Sequence, residues 1–512
     1  MEIAIIGAGF AGLSTAKVLR TVGFDVTVYE KAPDVGGVWS ATRRYPGLRT
    51  QNNKGTYALS DFPMPAHYPE WPSGEQVQQY LADYVHHFDL AGVLRLGTEV
   101  LRADLDPGGR WTVVTRRTGS AEPGEARTFD HLVVANGIFS EPMIPAFAGI
   151  DDFTAAGGQV RAAGDFHDLE DARGRDVLVV GYGKSSCDVS VPISDVAAST
   201  ALVARELLWK MPKKLGGVLN YKYLMLTRMG EGLFRYLRPH GFERFLHGPG
   251  DGVRRRMLGS VQSVATRQLK LERLGLVPNG SFEDIARSTV SLTTDDFYER
   301  VTAGTIRVHR DRVVARLLEK DGRPHAELSD GTVLPADLIV CGTGFRQVVP
   351  FLSEELQRRI TDERGNFVLY RQIKPIDVPG LSFAGYNSSF FSPLSAEMAA
   401  VWIARDLLGT LSLPPAEEQR RLVDLRLRWM EERTRGHHAR GTNIIPFSLH
   451  NIDEVLNDMG ANIGPLKRSV QWLLPVDPGA YRGVTEHLAA THRARAAGRQ
   501  VADGAPVTTL PG

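Results

Sequence analysis

At 512 residues the chain is long enough for two or three domains' worth of core, and 43% apolar with 23% charged residues is the balance of a globular protein, not of a disordered or fibrous one. A formal net charge of +1 offers no global attraction to nucleic acid or to an anionic membrane. Two cysteines, Cys187 and Cys341, exclude a disulfide framework and fit a reducing compartment. No stretch reaches the ~18 apolar residues of a membrane span, and with the first strand starting at residue 2 no signal peptide is expected. The expectation is a cytoplasmic protein without stable membrane attachment and with no nucleic-acid partner.

The first element is the strand Ile3-Ala4-Ile5-Ile6, which runs straight into Gly7-Ala8-Gly9-Phe10-Ala11-Gly12. Strand, G-x-G-x-x-G and helix in that order form a dinucleotide fingerprint, because glycines let backbone N–H groups approach a pyrophosphate at a helix N-terminus. The next strand, Asp25–Tyr29, ends in Glu30, eighteen residues past Gly12. A carboxylate there accepts hydrogen bonds from a ribose diol and repels a 2′-phosphate, so this site suits FAD or NAD. Far downstream, Asp130-His131-Leu132-Val133-Val134 and the turn Ala135-Asn136-Gly137 close the unit.

After a boundary rich in Pro and Gly near residues 145–165, the same sequence of signals recurs. Val177-Leu178-Val179-Val180 precedes Gly181-Tyr182-Gly183-Lys184-Ser185-Ser186, and the following strand, Ala201–Ala204, ends in Arg205 with Lys210, Lys213 and Lys214 close behind. Cations at this point suit a 2′-phosphate and point to NADPH. Asp337-Leu338-Ile339-Val340-Cys341 and Gly342-Thr343-Gly344 close this second unit. One such glycine motif is weak evidence; two in register, with opposite charge at the ribose position, are much stronger. The fold expected is α/β, with two Rossmann-like dinucleotide-binding domains, the second inserted in the first, and a helical insertion. Residues 1–160 would be the first part of one domain, 161–345 the second domain with the insertion at about 207–290, and 346–487 the return to the first. Residues 488–512, rich in Ala, Arg and Gly, read as a disordered tail. The stretch 201–275 holds fifteen Lys/Arg against five Asp/Glu and reads as a basic helical insertion shielding the second site.

Several segments carry a family resemblance. Asp34-Val35-Gly36-Gly37-Val38-Trp39, Tyr45-Pro46-Gly47-Leu48, Tyr57-Ala58-Leu59-Ser60-Asp61-Phe62-Pro63, Gly342-Thr343-Gly344-Phe345 and Phe383-Ala384-Gly385-Tyr386, followed by Glu397 and Trp402, resemble flavin-containing monooxygenases and the related Baeyer–Villiger monooxygenases in order and spacing. The resemblance implies FAD against Gly7, Gly9, Phe10, Ala11, Gly12, Glu30, Lys31, Gly37, Val38, Trp39, Val100, Ala135, Asn136 and Gly137. It implies NADPH against Gly181, Tyr182, Gly183, Lys184, Ser185, Ser186, Arg205, Gly342, Thr343 and Gly344, and it requires no metal. It also implies O₂ as co-substrate, held as a C4a-(hydro)peroxide of the reduced flavin until it oxygenates N or S of a small molecule. The alternatives are Baeyer–Villiger oxygenation of a ketone and, in another class, an FAD/NADPH reductase or electron-transfer flavoprotein. A homodimer is a candidate assembly.

Two departures from the family stand out. Its linker fingerprint carries a histidine, often followed by serine, where this chain has Ala162 and Ala163, with His167 nearby but out of register. Its catalytic amide is an Asn three residues before a Lys; counting back from Lys54 gives Gln51, a register supported by the seven-residue step to Asp61, with the adjacent Asn52 as the alternative. Cys187 reads as a packing residue, no C-x-x-C is present, and His450 and the pair His437-His438 read as surface or packing residues.

Overall fold

The computed structural model describes residues 1–122, 124–287, 291–387, 389–436, 440–442 and 445–497. Its framework is a pair of five-stranded sheets with every pairing parallel. The first runs in the order Leu381–Phe383, His131–Val134, Glu2–Ile6, Asp25–Tyr29, Leu94–Arg95. The second runs Ile306–Arg310, Ser199–Ala204, Asp176–Val180, Leu338–Cys341, Gln159–Ala162. Their central strands are buried on both faces, which is why they read as unbroken apolar runs. The strand Leu381–Phe383 comes back to pair with His131–Val134 after the whole second sheet has been made, so the second unit is inserted in the first.

The repeat extends to details. Each unit carries a three-stranded antiparallel sheet, 98–105 with 111–117 and 126–129 in one, 314–320 with 323–328 and 333–335 in the other. The aspartates that open the two closing strands have matching tasks: Asp130 accepts the Glu2 N–H at 2.8 Å and Asp337 accepts the Asp176 N–H at 2.9 Å. Each ties the start of its first strand to the strand beside it.

The insertion contains helices, the longest Asp251–Gln268, but opens with two short strand pairs, 210–211 with 291–292 and 214–215 with 219–220, that its apolar pattern did not announce. The helix Arg482–Ala496 runs through residue 488, where the sequence suggested a disordered tail; residues 498–512 and His437-His438 lie outside the described residues. Among the described residues no helix is long and apolar enough to cross a membrane.

The insertion docks on the helix Ser448–Asp458 through buried charge rather than apolar contact alone. Arg228 pairs with both carboxylate oxygens of Asp453 at 2.7 and 2.9 Å, and the Tyr236 hydroxyl donates to Glu454 at 2.6 Å. His450 is neither a surface residue nor simple packing. Its imidazole stacks on Tyr236 with ring centres 4.2 Å apart, and its two nitrogens face Glu231 and Glu243. Burial alone would lower its pKa, but Glu231 and then Glu243 overrule that and raise it to about 10. A raised pKa stabilises the fold fully below the unfolded value near 6.5 and loses that contribution as pH rises through about 10. His450→Gln should therefore cost about 3–5 kcal/mol at pH 7. The gap to the wild type should narrow as pH rises from about 7 to about 10, as read by chemical denaturation at a series of pH values. A gap that stays constant would mean that the imidazolium is not the stabilising species.

Candidate functional site

Both fingerprints fold into the same backbone device. Gly7 and Gly181 sit at φ +114° and +116°, and a Cβ at either would meet a closing-strand carbonyl, Ala135 O at 2.4 Å or Gly342 O at 2.7 Å. Only glycine permits that approach. The helices that follow, Phe10–Thr21 and Lys184–Ile193, start from Gly9 and Gly183, neither with a side-chain cap nor with an acidic residue in the first turn. Their first N–H groups are left for another acceptor, and an anion is the one the helix dipole favours. The helix Gly74–His87 shows the contrast, being closed by a capping box from Ser73 and Gln76. These cradles fit a dinucleotide pyrophosphate.

In the first site, Glu30 is buried at the end of its strand. Each carboxylate oxygen takes one backbone donor, Ala8 N–H at 2.8 Å and Ala32 N–H at 2.9 Å, which orients the carboxylate and leaves lone pairs for ribose hydroxyls. The segment 36–37 folds over the motif, Gly36 donating to Ala8 O and a Cβ on Gly37 lying 3.3 Å from Gly9 Cα. Trp39, Tyr57 and Phe10 form an edge-to-face aromatic wall beside it, with ring centres 5.9 and 5.4 Å apart. Asn136 is locked by Val348 O and Tyr386, Val100 lies at a strand bulge, Val38 is half-buried, and the Lys31 side chain is exposed.

The second site explains its own departure from the glycine pattern. In the first unit a Cβ on Gly12 would come within 1.8 Å of Gly7 O, beside the Ala135 methyl. In the second unit the corresponding residues are Ser186 and Gly342. Ser186 occupies the space that a side chain at 342 would need, since a Cβ there would sit 2.1 Å from Ser186 Oγ, and its hydroxyl donates to Gly342 O at 3.2 Å. Gly12 is required by the Gly7 carbonyl, with the Ala135 methyl in ordinary contact, whereas in the second unit Ser186 is accommodated because residue 342 is glycine. Arg205 stands exposed at the end of its strand, with no ion pair or hydrogen bond among the described residues. Lys210 is not available beside it: it is fully buried, donating to Tyr182 O at 2.9 Å and Ser291 Oγ at 3.3 Å, and Lys213 is paired with Asp295 over the Trp71 ring. Lys184 is drawn onto Asp188, and Thr343 onto Met143 O. Burial pushes both cysteine thiols up, Cys341 to about 12, so neither is a reactive thiolate.

Gln51 and Asn52 lie where the two units and the insertion meet. Gln51 accepts Leu292 N–H on Oε1 at 3.2 Å and the Tyr221 hydroxyl on its backbone carbonyl at 2.6 Å, and its Nε2 has no partner among the described residues. Asn52 is buried, its amide nitrogen donating to Phe390 O. Asn53 caps a local turn through Thr56. Two participants were not among the expected site residues, although Glu397 stands in the segments that carry the resemblance. Tyr221 arrives from the insertion and touches both amide positions; only its aromatic ring in a basic segment hinted at it. Glu397, fully buried, accepts Ser60 N–H and Oγ–H at 2.8 and 2.9 Å and so pins the Tyr57 segment to the helix Ser392–Leu407. Burial, with Asp61 adding to it, raises the Glu397 pKa to about 7 against the opposing pull of Ser60 and Lys17.

Two glycine-turn cradles on tandem parallel sheets, one beside a buried carboxylate and the other beside an exposed guanidinium, fit a two-cofactor redox flavoprotein. Residues 1–484 match the family model described as Flavin-binding monooxygenase-like, and the chain belongs to that family. It is a flavin-dependent monooxygenase with FAD and NADPH as its cofactors. Probable flavin-containing monooxygenase 1 of Arabidopsis thaliana is 27% identical over 501 residues, 90% of this chain and 92% of its own. Among solved structures, S-allyl-L-cysteine S-oxygenase from Allium sativum superposes with a TM-score of 0.61 at 21% identity, covering 97% of this chain and 98% of that one. Cyclohexanone monooxygenase from Rhodococcus sp. Phi1 bound to NADP⁺ gives a TM-score of 0.65 at 17% identity, covering 89% and 96%.

The free guanidinium makes a direct test possible. A charge-assisted contact to a 2′-phosphate is worth ~1.5–3 kcal/mol, or about 10–150-fold in binding. Arg205→Ala should raise the KM for NADPH by that order while changing the KM for NADH about two-fold or less. Equal effects on the two cofactors would remove Arg205 from the site.

Proposed function

We propose that FAD occupies the first cradle and NADPH the second, and that the enzyme oxygenates a nucleophilic nitrogen or sulfur of a small molecule with O₂. The observation carrying the choice of N or S over ketone chemistry is the linker. The position where the family's linker fingerprint carries histidine is Ala162, at the buried end of a strand level with Cys341, followed by buried Ala163. Neither side chain can supply a polar contact at the domain junction. A reductase reading needs a redox relay, and the two cysteines, both buried, offer none.

Bound FAD, reduced by NADPH, supplies activated dioxygen. The chain's own residues do the rest. The uncapped helix termini hold the two pyrophosphates, Glu30 orients the ribose diol of one dinucleotide and Arg205 reads the 2′-phosphate of the other. The Phe10–Tyr57–Trp39 wall, Tyr221 and the insertion keep water from the junction. Gln51 presents an amide N–H₂ there, fixed in direction by the Leu292 N–H on its oxygen, with Asn52 as the second donor.

Turnover with a tertiary amine, a thioether and a cyclic ketone under ¹⁸O₂ separates the readings. Labelled N-oxide or sulfoxide is expected. Labelled lactone alone would establish the Baeyer–Villiger alternative, and NADPH oxidation without any oxygenated product would establish a reductase.

A buried donor removed from a junction of this kind costs ~1–3 kcal/mol. Gln51→Ala should therefore raise the share of NADPH that ends as hydrogen peroxide severalfold while leaving flavin reduction by NADPH nearly unchanged, as followed by stopped-flow absorbance and a peroxide assay. A larger effect from Asn52→Ala would move the role by one residue. No effect from either would reduce both to turn residues.

A further inference from the structure

The missing linker histidine leaves a question that the geometry answers elsewhere. The turn Arg43–Gly47 of the first unit lies against the linker and against the first turns of the helix Lys184–Ile193. The Tyr45 hydroxyl is within hydrogen-bond distance of Ser185 Oγ at 3.2 Å and Asp188 Oδ2 at 3.4 Å. Asp188 is buried, only 2% exposed, and its other oxygen takes Lys184 and the Thr294 hydroxyl, the latter at 2.6 Å. Its Oδ2 has Tyr45 as its one donor among the described residues. Gly47 packs so closely that a Cβ there would stand 3.1 Å from Asp188 O. Five residues beyond Ala162, His167 Nδ1 lies 3.1 Å from Arg44 O and ties the linker to the same turn. These contacts cross between segments about 120–140 positions apart in the chain, so they hold one unit against the other.

We infer that Tyr45 is a positioning residue for the nicotinamide dinucleotide: through Ser185 and Asp188 it clamps the first turns of the second dinucleotide helix to the first unit, and His167 on Arg44 performs the bridging that Ala162 does not. The inference rests on the proposal that NADPH binds the second cradle. Ser185 and Lys184 belong to the uncapped turn whose N–H groups would face the pyrophosphate. Anchoring their side chains across the junction sets the direction of that turn relative to the flavin site. Breaking the clamp spreads the second unit over more orientations, and apparent affinity falls in proportion to the fraction still competent to bind. The same loosening lets NADP⁺ leave early and water enter, so electrons leak to peroxide.

The test uses the full-length, FAD-loaded protein. NADP⁺ affinity is measured by calorimetry, the peroxide share of NADPH oxidation in turnover, and FAD content and melting temperature in parallel. Tyr45→Phe keeps the ring and removes the hydroxyl. It should weaken NADP⁺ about 5–10-fold, the worth of one net hydrogen bond, and raise the peroxide share, with FAD content unchanged and the melting temperature within about 2 °C. His167→Ala, on a more exposed contact, should shift both readouts in the same direction by about two-fold. Wild-type protein that binds NADP⁺, with Tyr45→Phe equal to it in affinity and peroxide share, would overturn the clamp alone. A Tyr45→Phe protein with a lower melting temperature but unaltered NADP⁺ affinity would likewise overturn it, by making the contact purely structural. Wild-type protein that fails to bind NADP⁺ at all would instead overturn the assignment of the second cradle, and the clamp with it.

Discussion

Everything functional here depends on two strands in each unit ending so close together that no side chain fits between them. At Gly7 and Gly181 the space a Cβ would fill is occupied by the carbonyl of the residue that follows the closing strand. That contact draws the turn tight, brings the start of the next helix to the strand end, and leaves its first N–H groups without a side-chain cap. A helix that needed to be stable for its own sake would carry a cap of the Ser73 kind. Both dinucleotide helices forgo it and are held in place by packing, the first against the long helix 392–407.

The two copies of this device show which features the contact demands and which it leaves free. Both keep glycine at the turn and aspartate at the start of the closing strand, where the carboxylate takes the first N–H of the neighbouring strand. The crossing itself differs. In the first unit the Gly7 carbonyl excludes a side chain at residue 12, which must be glycine, whereas in the second the Ser186 side chain is accommodated beside Gly342 and donates to its carbonyl. Charge at the ribose position is independent of the contact. One scaffold therefore serves two dinucleotides.

What could be read from the chain divides along the same line. The cradles are made from backbone, and backbone conformation of this kind imposes itself on local sequence. Gly7, Gly9, Gly12 and Glu30, or Gly181, Gly183 and Arg205, fall within about 25–30 residues of one another, with strand and helix patterns to frame them. The nested order of the sheets was legible because its closing strands repeat Asp, a largely apolar strand and a small-residue turn. The junction was not legible in this way, since it is assembled from side chains far apart in the chain. Tyr221 meets Gln51 across 170 positions, and Asn52 meets Phe390 across 338. His450 was opaque for the same reason, because its partners Glu231 and Glu243 lie more than 200 positions away in the insertion. Lys210 misled in the opposite sense: close in sequence to Arg205, it turns inward to carbonyl and hydroxyl oxygens instead of outward to solvent.

A two-cofactor enzyme of this design has to solve a problem that neither sheet can solve alone, which is to keep the two crevices facing each other while remaining able to exchange a dinucleotide. Apolar burial between the units would hold them but would not discriminate between orientations, being non-directional. Directional contacts do discriminate, and the junction is supplied with them at different strengths. The insertion is fixed by charge that is buried and multiply paired, Arg228 on Asp453 and His450 between two glutamates, which is costly to separate once formed. The turn Arg43–Gly47 meets the second unit through single, longer hydrogen bonds from Tyr45 and His167, each worth little more than thermal energy. The gradient runs from multiply paired charge at the insertion to weaker hydrogen bonds beside the helix Lys184–Ile193. On the function proposed above, the weaker contact is the one beside the second dinucleotide, which has to come and go.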